Sequence, residues 1–174
     1  TGPMYVKYNH VLRVIGKVHV DSDKSGGKVN QNHFVEALKK AKVSSQQVQT
    51  HGNTYTTTLH IINSAVVKLS KLTPACKVYR GISGKPQPFT PPFLASRVHV
   101  FPPSHLPGKT LPPHMQKKDR LNARGGVEFG FLSCSMERGV AHKYATSSKT
   151  PPIILEMKMG MIDRGADFSW LSQY

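Results

Sequence analysis

The sequence predicts an α+β fold. The first observation is an apolar stripe at helical spacing, in which Leu59, Ile62, Val66, Leu69 and Leu72 set a helix over 55–72. The second is a set of short β-favouring runs at 76–80, 128–133 and 153–159, each marked off by Gly or Pro. The third is a further helical segment, 136–145, between the last two runs. Helix, strand, strand, helix, strand is a pattern compatible with antiparallel sheet flanked by helices.

Each element has local reasons. Tyr5, Tyr8, Leu12 and Ile15 fall at helical spacing and predict a helix over 4–20. Polar, glycine-containing 21–27 reads as a loop. Phe34, Val35, Leu38 and Ala41 give a short amphipathic helix, and Lys39, Lys40 and Lys42 suit the negative end of its dipole. A polar linker follows at 44–53. Asn53 or Thr54 can cap the helix over 55–72, and Thr73-Pro74 stops it. The strand over 76–80 is broken by Gly81 and Gly84. Nine of the 13 prolines lie between Pro86 and Pro113, a density that predicts a long surface loop over 85–124 without regular structure. In the strand over 128–133, Phe129, Phe131 and Ser133 share one face. Ser135 is placed to cap the helix 136–145, with Glu137 in its first turn. Pro151-Pro152 opens the strand over 153–159, and residues 163–174 begin a turn and a last strand. Phe129, Phe131, Trp170 and Leu171 are expected in the core, as is Cys134 between its two serines.

Composition narrows the function classes. At 174 residues with 38% hydrophobic residues the chain can bury a core. No apolar run reaches membrane-spanning length. Two cysteines, Cys76 and Cys134, make neither a disulfide framework nor a zinc cluster and mildly favour a reducing compartment. The net charge of +15 favours anionic partners such as nucleic acid, phosphates or an acidic surface, although the basic residues are scattered. No signal peptide is visible, and both ends read as those of a fragment.

Three motifs stand in a meaningful order: Val78-Tyr79-Arg80-Gly81, then Phe131-Leu132-Ser133-Cys134-Ser135, then Asp167-Phe168-Ser169-Trp170-Leu171-Ser172-Gln173-Tyr174. With the helix TYTTTLHIINSAVVKLSKL before the first and GGVEFGFLSCSMERGVAHKYA around the second, the set resembles the arginine-serine-glutamate class of mono-ADP-ribosyltransferases. The resemblance covers roughly residues 1–13 and 53–174. It implies two packed small antiparallel sheets, a split β-sandwich, around a cleft for NAD. It implies transfer of ADP-ribose from NAD to a protein side chain, arginine in the nearest class members, with release of nicotinamide. Arg80 is then the pyrophosphate and ribose partner, its planar fork always charged. Gly81 lets backbone approach the nicotinamide amide. Ser133 orients the active-site carboxylate and ribose, and Ser135 completes a Ser-Cys-Ser element. The class carries a Glu-x-Glu pair a few residues beyond a Leu-Ser-Gln-Tyr-like turn. This sequence ends at Tyr174, which falls in the loop that class members use to recognise the acceptor protein. Glu128, Glu137 and Glu156 are poor substitutes, because they precede the serine segment, flank a helix start and sit mid-strand.

Two other readings stand beside this one. A non-catalytic basic module binding nucleic acid or a nucleotide accounts for the charge alone. The loop over 85–124 is longer than the class norm, as an insertion or as unspliced sequence. Asp21, Asp23, Ser25 and Gly26 match the first, third, fifth and sixth positions of a degenerate calcium loop. Asn32 or His33 stands where a bidentate glutamate should close it, so calcium is disfavoured against a plain turn. His99, His105 and His114 lack metal-ligand spacing.

Overall fold

The computed structural model describes residues 3–41, 48–82, 98–101, 118, 122, 127–147 and 152–171. Among them the elements run α1 (Pro3–Ser25), α2 (Gln31–Lys40), α3 (Thr56–Ser70), β1 (Lys77–Ile82), β2 (Val98–Phe101), α4 (Arg138–Ala145) and β3 (Ile153–Lys158). Contacts group the chain into two units, residues 1–64 with 128–132 and residues 65–127 with 133–174. No helix among the described residues is long and apolar enough to cross a membrane.

In the first unit, Pro at the first position of α1 loses no helical hydrogen bond. The helix runs on through Ser25, where the sequence reading places a loop. Gly26 ends it with φ of 67°, and Gly27 N–H donates to the Ser22 carbonyl at 3.1 Å, the six-to-one bond of a Schellman cap. Gly26 is thus a helix stop. Asp21, Asp23 and Ser25 lie on the last turns of a helix and do not take the loop geometry of a calcium hand.

Asn30 caps α2, its side-chain oxygen accepting from His33 N–H at 3.0 Å. Asn53 accepts from Tyr55 N–H at 2.9 Å just before α3. Val11, Leu38 and Leu59, one from each helix, form the buried core, with Tyr8, Leu12, Val14, Phe34, Tyr55 and Phe131 packed around them. The Tyr8 and Tyr55 rings meet edge to face at 5.4 Å. The apolar stripe of α3 is not uniformly covered: Leu59 is buried and Leu72, beyond the helix end, is exposed.

The segment 128–132 is held without a strand. Asn9, only 2% exposed, accepts from Phe131 N–H at 2.6 Å and donates to the Phe131 carbonyl at 3.3 Å. The Tyr5 hydroxyl donates to the same carbonyl at 2.7 Å. Arg13 forks onto both Glu128 oxygens at 2.9 Å, and Glu128 also accepts from Gly130 N–H at 2.8 Å. Residues 5, 9 and 13 stand four apart on α1, so they form one line down the helix. A Cβ on Gly16, further along α1, would collide with the Phe129 ring, so glycine is needed mid-helix despite its propensity cost of about 1 kcal/mol. The inner face of α1 carries Tyr5, Asn9, Leu12 and Gly16, while Ile15 is turned outward at 40% exposure. The strand expected over 128–133 is absent because side chains of α1 take the backbone bonds that a neighbouring strand would make.

In the second unit, β1, β3 and β2 form an antiparallel sheet in the order β1-β3-β2. Tyr79 stands opposite Glu156 and Arg80 opposite Leu155. β2 pairs Val98 with Met157 and Phe101 with Ile154. This strand overturns the expectation of a loop devoid of regular structure over 85–124. Val98, Val100 and Phe101 favour β structure, and an edge strand pairs along one side only. The rest of that loop lies mostly outside the described residues. Strand β1 also runs through Gly81 to Ile82 instead of breaking there. Helix α4 starts at Arg138 with Glu137 at the N-cap, later than the sequence suggests. Ser135 forms a turn, its hydroxyl accepting from Glu137 N–H at 3.1 Å. After β3, Arg164 donates to the Thr73 carbonyl at 2.9 Å and Asp167 N–H donates to the Thr73 hydroxyl at 3.0 Å. Residues 163–171 form bends and a turn, with no strand, and Trp170 and Leu171 are 71% and 65% exposed, so they are not core. The described residues thus contain helices and one three-stranded sheet, and the second sheet of the expected sandwich is not among them.

Replacing Asn9 by Leu should leave the Phe131 amide without its acceptor, the carbonyl keeping the Tyr5 hydroxyl, and destabilise the first unit by about 1–3 kcal/mol. Hydrogen exchange of the Phe131 amide checks this: protection unchanged in Asn9→Leu would show that the amide is not what holds the segment.

Candidate functional site

Strand β1 positions the candidate site. Its inner edge pairs with β3. Its outer edge pairs with Ser135: Tyr79 N–H donates to the Ser135 carbonyl at 2.7 Å, and Ser135 N–H donates to the Tyr79 carbonyl at 2.8 Å. This single antiparallel bridge lays residues 133–135 along β1. Arg80 then reaches Ser133, donating from Nη1 to its carbonyl oxygen at 2.6 Å, although the two lie 53 residues apart in sequence.

The contact differs from the sequence expectation in kind. Ser133 and Ser135 do not project from one strand, since residues 128–134 are not in a ladder and only Ser135 bridges. Ser133 meets Arg80 through its main chain and is exposed. Ser135 uses its backbone on Tyr79 and its hydroxyl on Glu137.

Gly81 has a structural duty. A Cβ there would strike the carbonyl of Ala141 and come within 2.8 Å of Ala145 N, both backbone atoms of α4. Ala141 and Ala145 are buried, so two alanines and a glycine let helix and strand approach closely. The approach that glycine permits at position 81 is made by α4.

The carboxylates fall as follows. Glu156 stands opposite Tyr79 and bonds Lys77 at 2.9 Å, which places it on the face away from Arg80, since alternate residues of a strand point to opposite faces. Glu128 belongs to the first unit, where it pairs with Arg13. Glu137 is the N-cap of α4. Asp167 accepts from Ser169 N–H at 2.8 Å, and that bond holds its carboxyl below the usual range. Tyr174 lies outside the described residues. Among the described residues no group of three or more His, Cys, Asp or Glu side chains is placed to hold a metal ion.

Cys134 was expected in the core and is exposed, and neither it nor Cys76 forms a disulfide. Crowding around the sulfur still desolvates the thiolate and pushes the Cys134 thiol up from its ordinary value, while the Arg80 charge pulls it the other way. Arg80 therefore acts on two groups of the 133–135 segment, a carbonyl by hydrogen bond and a thiol through its field. The sequence marks Arg80 and the serines. It gives no signal for Tyr79, whose contribution is purely backbone.

Comparison of the chain with protein-family models, with curated proteins and with solved structures gives no match. The resemblance to ADP-ribosyltransferases rests on the residues themselves.

Two measurements probe this geometry. Gly81→Ala should force β1 from α4 and destabilise the second unit by about 1–3 kcal/mol in urea unfolding, as overpacking does. In a Cys76→Ala background, alkylation of Cys134 should titrate above the ordinary cysteine range, and Arg80→Gln should move it higher still, because the favourable charge is lost. An unchanged midpoint would separate Arg80 from this segment.

Proposed function

We propose that the second unit carries the NAD-binding part of a mono-ADP-ribosyltransferase site, with Arg80 as the anion partner and residues 133–135 as its wall. The single observation that carries this reading is the Arg80–Ser133 contact at 2.6 Å, made across 53 residues by the bridge at Tyr79 and Ser135. The two residues that the resemblance pairs in sequence are neighbours in space.

The chemistry suits the residues. NAD presents an anionic pyrophosphate and a cationic nicotinamide. The Ser133 carbonyl takes one donor of a guanidinium that has five, so the fork is oriented with donors remaining for phosphate oxygens. Cleavage of the nicotinamide–ribose bond passes through an oxocarbenium-like state, and nicotinamide leaves with the bonding pair. The acceptor nitrogen, from an arginine in this reading, then forms the new bond to the ribose carbon and releases a proton. A carboxylate beside the ribose is the remaining requirement, and the resemblance assigns it to a Glu-x-Glu pair following the Tyr174 turn.

The 174-residue chain should accordingly bind NAD and release little nicotinamide, since a missing electrostatic group costs roughly two to three orders of magnitude in rate. Arg80→Lys keeps the charge and loses the fork, and should weaken NAD binding about tenfold by calorimetry. Ser133→Ala retains the carbonyl and should leave that binding nearly unchanged. Equal NAD affinity in wild type and Arg80→Lys would remove Arg80 from the site. Robust turnover would make Glu128, Glu137 or Glu156 catalytic. Tight, salt-dependent nucleic-acid binding without any NAD binding would favour the basic-module reading instead.

A further inference from the structure

We propose that a groove in the first unit, apart from the residues assigned to NAD, binds a phosphate monoester carried on a hydroxyl-bearing ligand such as a sugar phosphate. The groove has a volume of about 510 Å³, within the usual range of small-molecule sites. Helix α1 supplies His10, the end of α2 supplies Leu38, Lys39 and Ala41, and the segment before α3 closes it with residues 48–52.

Its lining is one-sided in charge. Lys39, His10 and His51 face it with Gln49 and Thr50, and no carboxylate among the described residues lines it. The acid on α2, Glu36, is placed toward Lys40 at 3.6 Å. No carboxylate among the described residues pairs with Lys39. The Lys39 stem lies over Gly52, where a Cβ would stand 3.3 Å from Cε, so the ammonium is carried toward the 50–52 turn. His51 and Gly52 are both left-handed, with φ of 50° and 82°, and Asn53 N–H closes the turn on the Thr50 carbonyl at 2.8 Å. A left-handed histidine is uncommon and costs energy, and such residues gather at ligand clamps. Here it sets an imidazole at the rim.

The rest of the lining refines the ligand. Burial, with Arg13 adding to it, lowers the His10 pKa, so its imidazole is neutral at pH 7 and offers one donor and one acceptor. The carbonyl end of α2 also borders the groove and disfavours a bare anion. A ligand with phosphate for Lys39 and the histidines, and hydroxyls for the α2 carbonyls and the His10 acceptor, satisfies both sets. Leu38, Val48 and Ala41 give it an apolar wall.

The test is titration of the chain with ribose 5-phosphate, adenosine monophosphate and ribose, read at the ring resonances of His10 and His51 and the Gly52 amide. Saturable shifts at these three positions are expected with either phosphate and not with ribose; the tighter of the two tells a sugar phosphate from a nucleotide. Lys39→Gln, on the exposed side of α2, should weaken the binding about tenfold, the value of one charge-assisted hydrogen bond. His51→Asn, which tolerates the left-handed backbone, should weaken it as well. The proposal fails if neither phosphate gives saturable shifts there, if ribose binds as well as its phosphate, or if Lys39→Gln binds like wild type. Reading these local signals keeps the result independent of NAD binding at Arg80.

Discussion

Asn9 is the side chain on which the first unit depends. A buried amide must find partners for its donor and its acceptor, or it costs more than it contributes. Asn9 finds both on one residue, Phe131, and so takes the place that a neighbouring strand would occupy. Tyr5 and Arg13, one turn to either side, fasten Phe131 and Glu128 in the same line. A segment more than a hundred residues away in sequence is thereby fixed to α1, and Phe131 reaches the core formed by Val11, Leu38 and Leu59. Gly16 completes the arrangement by leaving room for Phe129.

The second unit has its own organising strand. β1 is paired on one edge by β3, bridged on the other by Ser135, and covered by α4 where Gly81 lacks a side chain. Arg80 lies between these constraints. Its backbone is fixed by the pairing with Leu155, and its guanidinium by the Ser133 carbonyl. An arginine held in this way retains little rotamer freedom, which lowers the entropy lost when it meets an anion.

Much of the local structure was legible because its causes are local. Asn53 announces a helix start by its short acceptor, Pro74 announces an end, and Phe34, Val35 and Leu38 fix the inner face of α2, whereas the Asn30 cap emerged only with the structure. Ile153 to Lys158 forms a strand as its β-branched start suggests. The failures share another cause. The loop expected over 21–27 became helix because nothing in Asp21 to Ser25 forbids one, and the stop comes only with Gly26. The strand expected over 128–133 had the right composition, but Asn9 and Tyr5 of α1 take the backbone groups of Phe131. β2 formed inside a proline-rich region because β3 had an open edge for Val98 to Phe101.

By itself the sequence determined the presence of the helices, the β1 and β3 strands, and the identity of Arg80, Gly81, Ser133 and Ser135 as residues of interest. Propensity, capping and periodicity act within a turn or two of chain, so a single segment contains them. Only the tertiary structure decided that Asn9 and Gly16 face inward, that Gly81 serves the approach of α4, and that Arg80 meets a main-chain carbonyl of Ser133. Each of these depends on a partner distant in sequence, and the pairing of two distant segments is set by mutual satisfaction of polar groups and shape, which neither segment carries alone.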